Sequence, residues 1–326
     1  MDEQGETVFR NHIAASYESG RHSDALVAAA VEELIDDALA GVHANRTLDL
    51  FGPPRRTLVI TATPLFAESA SVGALAVIED VTEQRRVDAV RRDFVANISH
   101  ELKTPVGAIS LLAETLLAED DVEVSQRLTT RMVDEALRVN RTIEDLLELS
   151  RIENEEMPRL EPVPVHLVLA EGVDRIRPAA EQAGIPVQVH EPDPRLAVMG
   201  DRRQLVSAVY NLLDNAVKYS DPGSPVEVRA GTDGRYVDIA VQDHGIGIPA
   251  RDLERVFERF YRVDQARSRQ TGGTGLGLAI VRHVVSNHDG EVRVESRLGE
   301  GTTFTLWLPS ASGPVALPTP VQAEAG

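Results

Sequence analysis

The chain has 326 residues, 42% of them apolar and 26% charged, with a formal net charge of -19, enough for two or three domains that each bury a core. It has no cysteine, which excludes disulfide frameworks and cysteine-ligated zinc, and its charge argues against direct nucleic-acid binding, because a phosphate backbone would be repelled. No apolar run approaches the roughly 20 residues of a bilayer-spanning helix and no signal peptide opens the sequence, so as given it reads as a soluble, cytoplasmic chain.

In chain order, Asp2–Asn11 reads as a strand already inside a fold. Leu26, Val27, Val31, Leu34 and Ile35 recur at helical spacing, and Thr57–Thr63 and Val72–Ile78 are β-rich. Two strands and one helix make a poor core, so residues 1–80 read as a domain lacking its start.

From Glu83 to Glu155 the pattern is helical throughout. Val95, Ile98, Leu102, Ile109, Leu112 and Leu116 form one apolar stripe, and Leu128, Met132, Ala136, Val139, Ile143 and Leu146 form a second. The acidic Glu119–Glu123 separates them, which predicts a helical hairpin. A hairpin cannot enclose both stripes, so a second copy is expected to complete a four-helix bundle.

His100 lies two residues from both Ile98 and Leu102, about 200° around the helix, which turns it away from the stripe. Spacing alone allows a merely solvated histidine. Asn97 and Thr104 share its exposed face, however, and Glu101 beside it could accept a proton from one ring nitrogen, leaving the other more nucleophilic. Pro105 is expected to bend the helix just past His100.

Pro158, Pro162 and Pro164 mark a linker. Residues 165–310 then alternate helix and strand: helices near 166–183 and 202–218 and from Leu276, strands at Ile185–His190, Val226–Ala230, Tyr236–Asp243, Glu291–Ser296 and Thr302–Leu308. The strands alternate, predicting an open sheet covered on one side by helices. The tail after Pro309 has no periodicity and reads as disordered.

No Gly-x-x-x-x-Gly-Lys-Ser/Thr run exists, which rules out a P-loop. Asn211, Asn215 and Lys218 share one helix face, offering amide oxygens suited to Mg²⁺ and a cation for a phosphate. Asp243-His-Gly-Ile-Gly-Ile-Pro249 ends a strand; its carboxylate could accept an adenine amino group while Gly245 and Gly247 let the backbone come close. Gly273-Thr-Gly-Leu-Gly277 opens an apolar helix and would cradle phosphates. Arg251–Gly273, sparsely apolar apart from Phe257, Phe260 and Tyr261, reads as a mobile lid. Each segment alone is weak; polar residues at i and i+4 usually mean only a solvated face.

Together these segments resemble the histidine protein kinases. Ser99-His-Glu-Leu-Lys-Thr-Pro105 is similar to the family's H box, Asn211–Tyr219 to its N box, Asp243–Gly247 to its G1 box, Phe257–Tyr261 to its F box and Gly273–Leu278 to its G2 box. The resemblance implies a multidomain α+β chain: an incomplete PAS-like α/β segment (1–80), a dimeric antiparallel four-helix bundle with two helices per chain (81–156), a Bergerat-type α/β sandwich that binds ATP (165–310) and a disordered tail (311–326). It implies His100 as phosphoacceptor, Glu101 as proton acceptor, and Thr104 as the residue that positions water for a phosphatase activity. Asn215, assisted by Asn211, would hold Mg²⁺. Lys218, Tyr219, Asp243, Gly245, Gly247, Gly273, Thr274, Gly275, Leu276 and Gly277 would surround ATP. The partners implied are a second copy and a response regulator docking at Ala108, Leu111 and Leu112.

Val90-Arg-Arg-Asp-Phe-Val-Ala-Asn97 and Lys103-Thr-Pro-Val-Gly-Ala108 resemble the actinobacterial phosphate-starvation sensor kinases, which implies a winged-helix regulator, a stimulus linked to phosphate availability and a parent protein anchored to the inner face of the membrane. Gly5–Ala14 is similar to an early PAS hairpin, and Ile78–Thr82 to the last PAS strand running into the signalling helix. Two rivals are a water-activating ATPase of the gyrase and Hsp90 superfamily, and a non-catalytic scaffold. Asn211 stands where the resemblance places a glutamate in the ATPases, and an amide cannot take a proton from water.

Overall fold

The computed structural model describes residues 1–2, 7–17, 22–67, 70–154, 159–263 and 273–311. The described chain forms two compact units, Met1–Ala96 and a second from Asn97 onward. No helix among the described residues is long and apolar enough to cross a membrane.

In the first unit, after a short helix α1 (His12–Ser16), helix α2 (His22–Leu39) packs on an antiparallel sheet ordered β1 (Ala44–Leu50), β2 (Arg56–Ala67), β3 (Ala70–Asp80). Val27, Ala30, Leu34 and Ala38 recur every three or four residues and so share one helix face, buried against Leu58, Ile60 and Ala62, which alternate along β2. The sequence missed β1 because its outward positions are polar and only Leu48 and Leu50 mark its inner face. The expected strand over residues 2–11 is corrected. Residues 7–11 form none, Val8 and Phe9 are exposed, and α1 follows directly. Residues 3–6, part of the expected PAS hairpin, lie outside the described residues. Met1 exchanges two hydrogen bonds with Ala74 on β3, at 2.8 and 3.1 Å.

The hairpin is two long helices, α3 (Thr82–Leu117) and α4 (Val122–Asn154). The acidic turn both breaks and restarts the helix: Asp121 Oδ1 accepts the N–H groups of Glu123 (2.8 Å) and Val124 (3.2 Å), satisfying donors that α4 cannot satisfy internally. α3 is a single helix through Pro105. Ile98, Leu102, Ile109 and Leu112 are half-buried, whereas Val106, Leu111, Val133, Leu137, Ile143 and Leu147 remain exposed. Two helices cannot cover an apolar surface of that width.

In the ATPase-like region, the expected linker is partly strand: β4 (Glu161–Pro164) pairs with β6 (Ala197–Gly200), both missed because one is half proline and the other four residues long. Helices α5 (Val165–Ala183), α6 (Arg202–Tyr219) and α7 (Gly277–Asn287) cover a five-stranded sheet of order β5 (Val187–Val189), β7 (Val226–Thr232), β8 (Tyr236–Asp243), β10 (Gly301–Pro309), β9 (Glu291–Arg297). β5 runs parallel to β7; the other pairings are antiparallel. Leu205, Leu212 and Leu213 of α6, Ile280 of α7, Ile239 of β8 and Leu306 of β10 are fully buried in the layer between. α6 starts at Asp201, whose side chain accepts the N–H groups of Arg203 and Gln204, and α5 stops at Gly184 in the left-handed region. The Asp201 cap fixes where α6 begins and so the register of Asn211 and Asn215 along it.

Candidate nucleotide and phosphoacceptor site

A cavity of about 660 Å³ opens where the C-terminal half of α6, the turn after β8 and the N-terminus of α7 meet. It is lined by Asn211, Asn215, Lys218, Tyr219, Asp243, Gly247, Gly273, Thr274, Gly275 and Gly277, so segments up to 66 residues apart in the chain converge; Gly245 and Leu276, expected with them, do not line it, and Leu276 is fully buried in the core instead. On α6, Asn211 is buried; its Nδ2 donates to the Ser207 carbonyl at 3.0 Å, which fixes its Oδ1 toward Gly277. A Cβ on Gly277 would lie 2.7 Å from that oxygen, so only glycine lets the loop approach the amide this closely. Lys218 is ion-paired with Asp214 one turn earlier.

At the end of β8, Asp243 is buried and its Oδ1 accepts the N–H groups of Gly245 (2.9 Å) and Thr302 (3.2 Å). Burial raises its pKa, and the two backbone donors oppose the rise. The turn folds tightly enough that a Cβ on Gly245 would sit 2.1 Å from the Tyr219 carbonyl. Ser296 pins its far side by accepting the Ile248 N–H at 2.8 Å.

The stretch expected as a mobile lid is packed in its first part. Val256 is buried, Phe257 meets Phe304 edge-on at 6.1 Å, and Tyr261 donates its hydroxyl to Asp252 at 2.8 Å. The aromatic residues anchor this part to the sheet; residues 264–272 lie outside the described residues. The phosphate-loop candidate leans on this anchor, because Phe260 N–H donates to the Gly275 carbonyl at 2.8 Å.

On α3, His100 is exposed and Glu101 half-buried, as the helical spacing implied. The Thr104 hydroxyl donates to the His100 carbonyl at 3.1 Å, which ties it to its own helix. Glu101 is held by Arg262, whose Nη2 donates to Glu101 Oε2 at 3.0 Å. Arg262 is half-buried, lines the cavity, and its Nε has no partner among the described residues.

Two site residues escaped the sequence. Arg262 looked like one more charge in a charged run. Asp145 sits within the α4 stripe, where a single carboxylate reads as a polar interruption. It lines the cavity and accepts the Thr274 hydroxyl at 2.5 Å. Burial pushes its pKa up to about 6, against the Thr274 bond and the Lys218 charge.

Residues 90–155 match the family described as His Kinase A (phospho-acceptor) domain, and residues 200–312 the family described as histidine kinase-, DNA gyrase B-, and HSP90-like ATPase. The chain is 48% identical over 248 residues to the sensor-like histidine kinase SenX3 of Mycobacterium tuberculosis, covering 76% of this chain and 60% of that protein. The chain carries the phospho-acceptor and ATPase domains of the histidine kinases. It is also 38% identical over 242 residues to the sensor histidine kinase WalK of Bacillus subtilis, covering 73% of this chain and 39% of that one. It spans about 60% of the length of SenX3 and less of WalK. Among solved structures, histidine kinase ThkA in complex with response regulator protein TrrA shares the fold, with a TM-score of 0.58 at 19% identity over 86% of this chain and 82% of that one. The phospho-acceptor match contains His100, Glu101 and Thr104, and the ATPase match contains every cavity residue from Asn211 to Gly277.

Proposed function

We propose that this chain is the signalling part of a sensor histidine kinase that phosphorylates His100 from ATP and passes the phosphoryl group to an aspartate of a response regulator. The observation that carries this reading is the presence, in one compact unit, of an exposed His100 flanked by Glu101 and a cavity with a buried carboxylate, an oriented amide and a glycine loop. Asp243 would read the adenine amino group, and the Gly273–Gly277 loop at the start of α7 would lie against the phosphates. Asn215 and Asn211 fit Mg²⁺ as it arrives with ATP. Asn211 has its NH₂ committed to Ser207, so its carbonyl oxygen, a hard ligand, is the end turned toward the loop. The ion would supply neutralisation of phosphate charge.

In the transfer, a ring nitrogen of His100 forms a bond to the γ-phosphorus as the bond to the ADP oxygen breaks, and Glu101 takes the proton from the other nitrogen. Thr104 would orient water when the phosphorylated regulator is hydrolysed. The exposed apolar residues of the hairpin support a homodimer, and Ala108, Leu111 and Leu112 a regulator-docking surface. We assign the regulator to the winged-helix type and the stimulus to phosphate availability on the sequence resemblance to the actinobacterial phosphate-starvation sensor kinases, with residues 1–80 as a PAS-like sensor segment of a membrane-anchored parent. The rival water-activating ATPase lacks support, since Asn211 offers an amide where proton removal needs a base.

Incubation with γ-labelled ATP and Mg²⁺ tests the assignment. The expected label is acid-labile and base-stable, and His100→Gln abolishes it with ATP affinity within twofold of wild type. Label of the same stability on the variant would refute the reading.

A further inference from the structure

Among the described residues, several side-chain links join the hairpin to the nucleotide-binding region, and two of them end on groups that the proposed chemistry needs. Arg259 pairs with Glu153 of α4 at 2.5 Å, and His283 of α7 lies 3.4 Å from the same carboxylate. Arg262 holds Glu101. Asp145 accepts the hydroxyl of Thr274 in the glycine loop. That same Thr274 oxygen accepts the Leu276 N–H at 3.2 Å, so the backbone donor just before α7 is engaged within the loop as well. Glu144 and Glu148 line the same wall of the cavity. A triphosphate entering the loop would meet the Asp145 carboxylate at the hydroxyl it has to contact. Two anions do not share one donor in a low-dielectric cleft.

We propose that Asp145 is an intramolecular competitor of ATP: by holding Thr274 it closes the phosphate loop while the hairpin is docked, so that nucleotide binding and docking exclude each other. The proposal rests on the kinase reading above. It makes the docked arrangement a resting state in which one contact closes the phosphate loop and another, Arg262 on Glu101, occupies the base. Release of the hairpin as a whole frees both contacts, which couples its movement to nucleotide entry.

The test is ATP affinity of the full chain with Mg²⁺, by calorimetry, for wild type, Asp145→Ala and Glu153→Gln. Asp145→Ala removes both the charge and the acceptor. Loss of one hydrogen bond to a charged group predicts affinity raised by about tenfold. Glu153→Gln leaves the cavity wall intact and weakens docking from its far end, and is expected to raise affinity by about three- to fivefold for an exposed-to-buried ion pair. If Asp145→Ala fails to fold, Glu153→Gln still reads the competition. Affinities within twofold of wild type in the folded variants, or lower, overturn the proposal. Wild type that neither binds ATP nor labels His100 would instead overturn the kinase reading.

Discussion

Asp243 shows how one buried group can be both a cost to the fold and a need of the site. Its carboxylate is held by two backbone N–H groups but still carries a raised pKa because burial dominates. Asparagine in its place keeps an oxygen for Gly245 and Thr302 and removes the buried charge. Asp243→Asn is therefore expected to keep or raise the melting temperature at pH 7 while weakening ATP binding by about tenfold and relaxing adenine over guanine preference, since an amide presents a donor to the adenine amino group. Calorimetry with ATP and GTP checks this. A parallel loss of stability and affinity would make Asp243 a structural residue. Thr104 carries the opposite tension, because its hydroxyl is spent on the His100 carbonyl. If it positions water, Thr104→Ala keeps autophosphorylation within a few-fold and slows regulator dephosphorylation by about tenfold. If it only supports the helix before Pro105, both activities and thermal stability fall together.

Among the elements, α4 serves two partners. Its N-terminal part follows α3 across the acidic turn, and its C-terminal part, with Leu149 and Ile152 buried, packs toward α7, where Asn287 donates to the Ile152 carbonyl at 3.2 Å. Asp145 lies at the junction. Its pKa of about 6 stands above the ordinary carboxylate value of 3.8, with desolvation as the main cause, Glu148 and Asp214 adding to it, and Thr274 and Lys218 opposing it. A carboxylate raised in this way contributes stability that is fully present below about pH 4 and lost as the pH rises through about 6, on the order of 3 kcal/mol. Asp145→Asn should therefore melt at the same temperature as wild type near pH 4 and several degrees higher at pH 7.5. Equal melting temperatures at both pH values would show that Asp145 is solvated in solution.

For the whole molecule, the exposed apolar residues of the hairpin matter most. Val133 and Leu147 are 52% and 53% exposed and stand two heptads apart on α4. The Val133→Glu, Leu147→Glu double variant is expected to sediment as a monomer while binding ATP normally, because neither side chain lines the cavity. A variant that stays dimeric would move the dimer interface elsewhere.

What the sequence determined by itself was periodic or contiguous. The stripes of α3 and α4, the alternation in β8 and β10, and the glycine-rich segments each follow from local spacing, and the order of the motifs was enough to anticipate His100, Asn211, Asn215, Asp243 and the Gly273–Gly277 loop. Where the signal was short or polar it failed: β1, β4 and β6 gain their order from neighbours, and residues 7–11, expected as part of a strand, form none. Only the tertiary structure decided that Asp145 meets Thr274, 129 residues away, and that Arg262 meets Glu101, 161 residues away. Pairings at that separation depend on how two helices dock, and no local pattern encodes the docking. A charged side chain in a charged run looks the same in sequence whether it faces water or a partner across an interface.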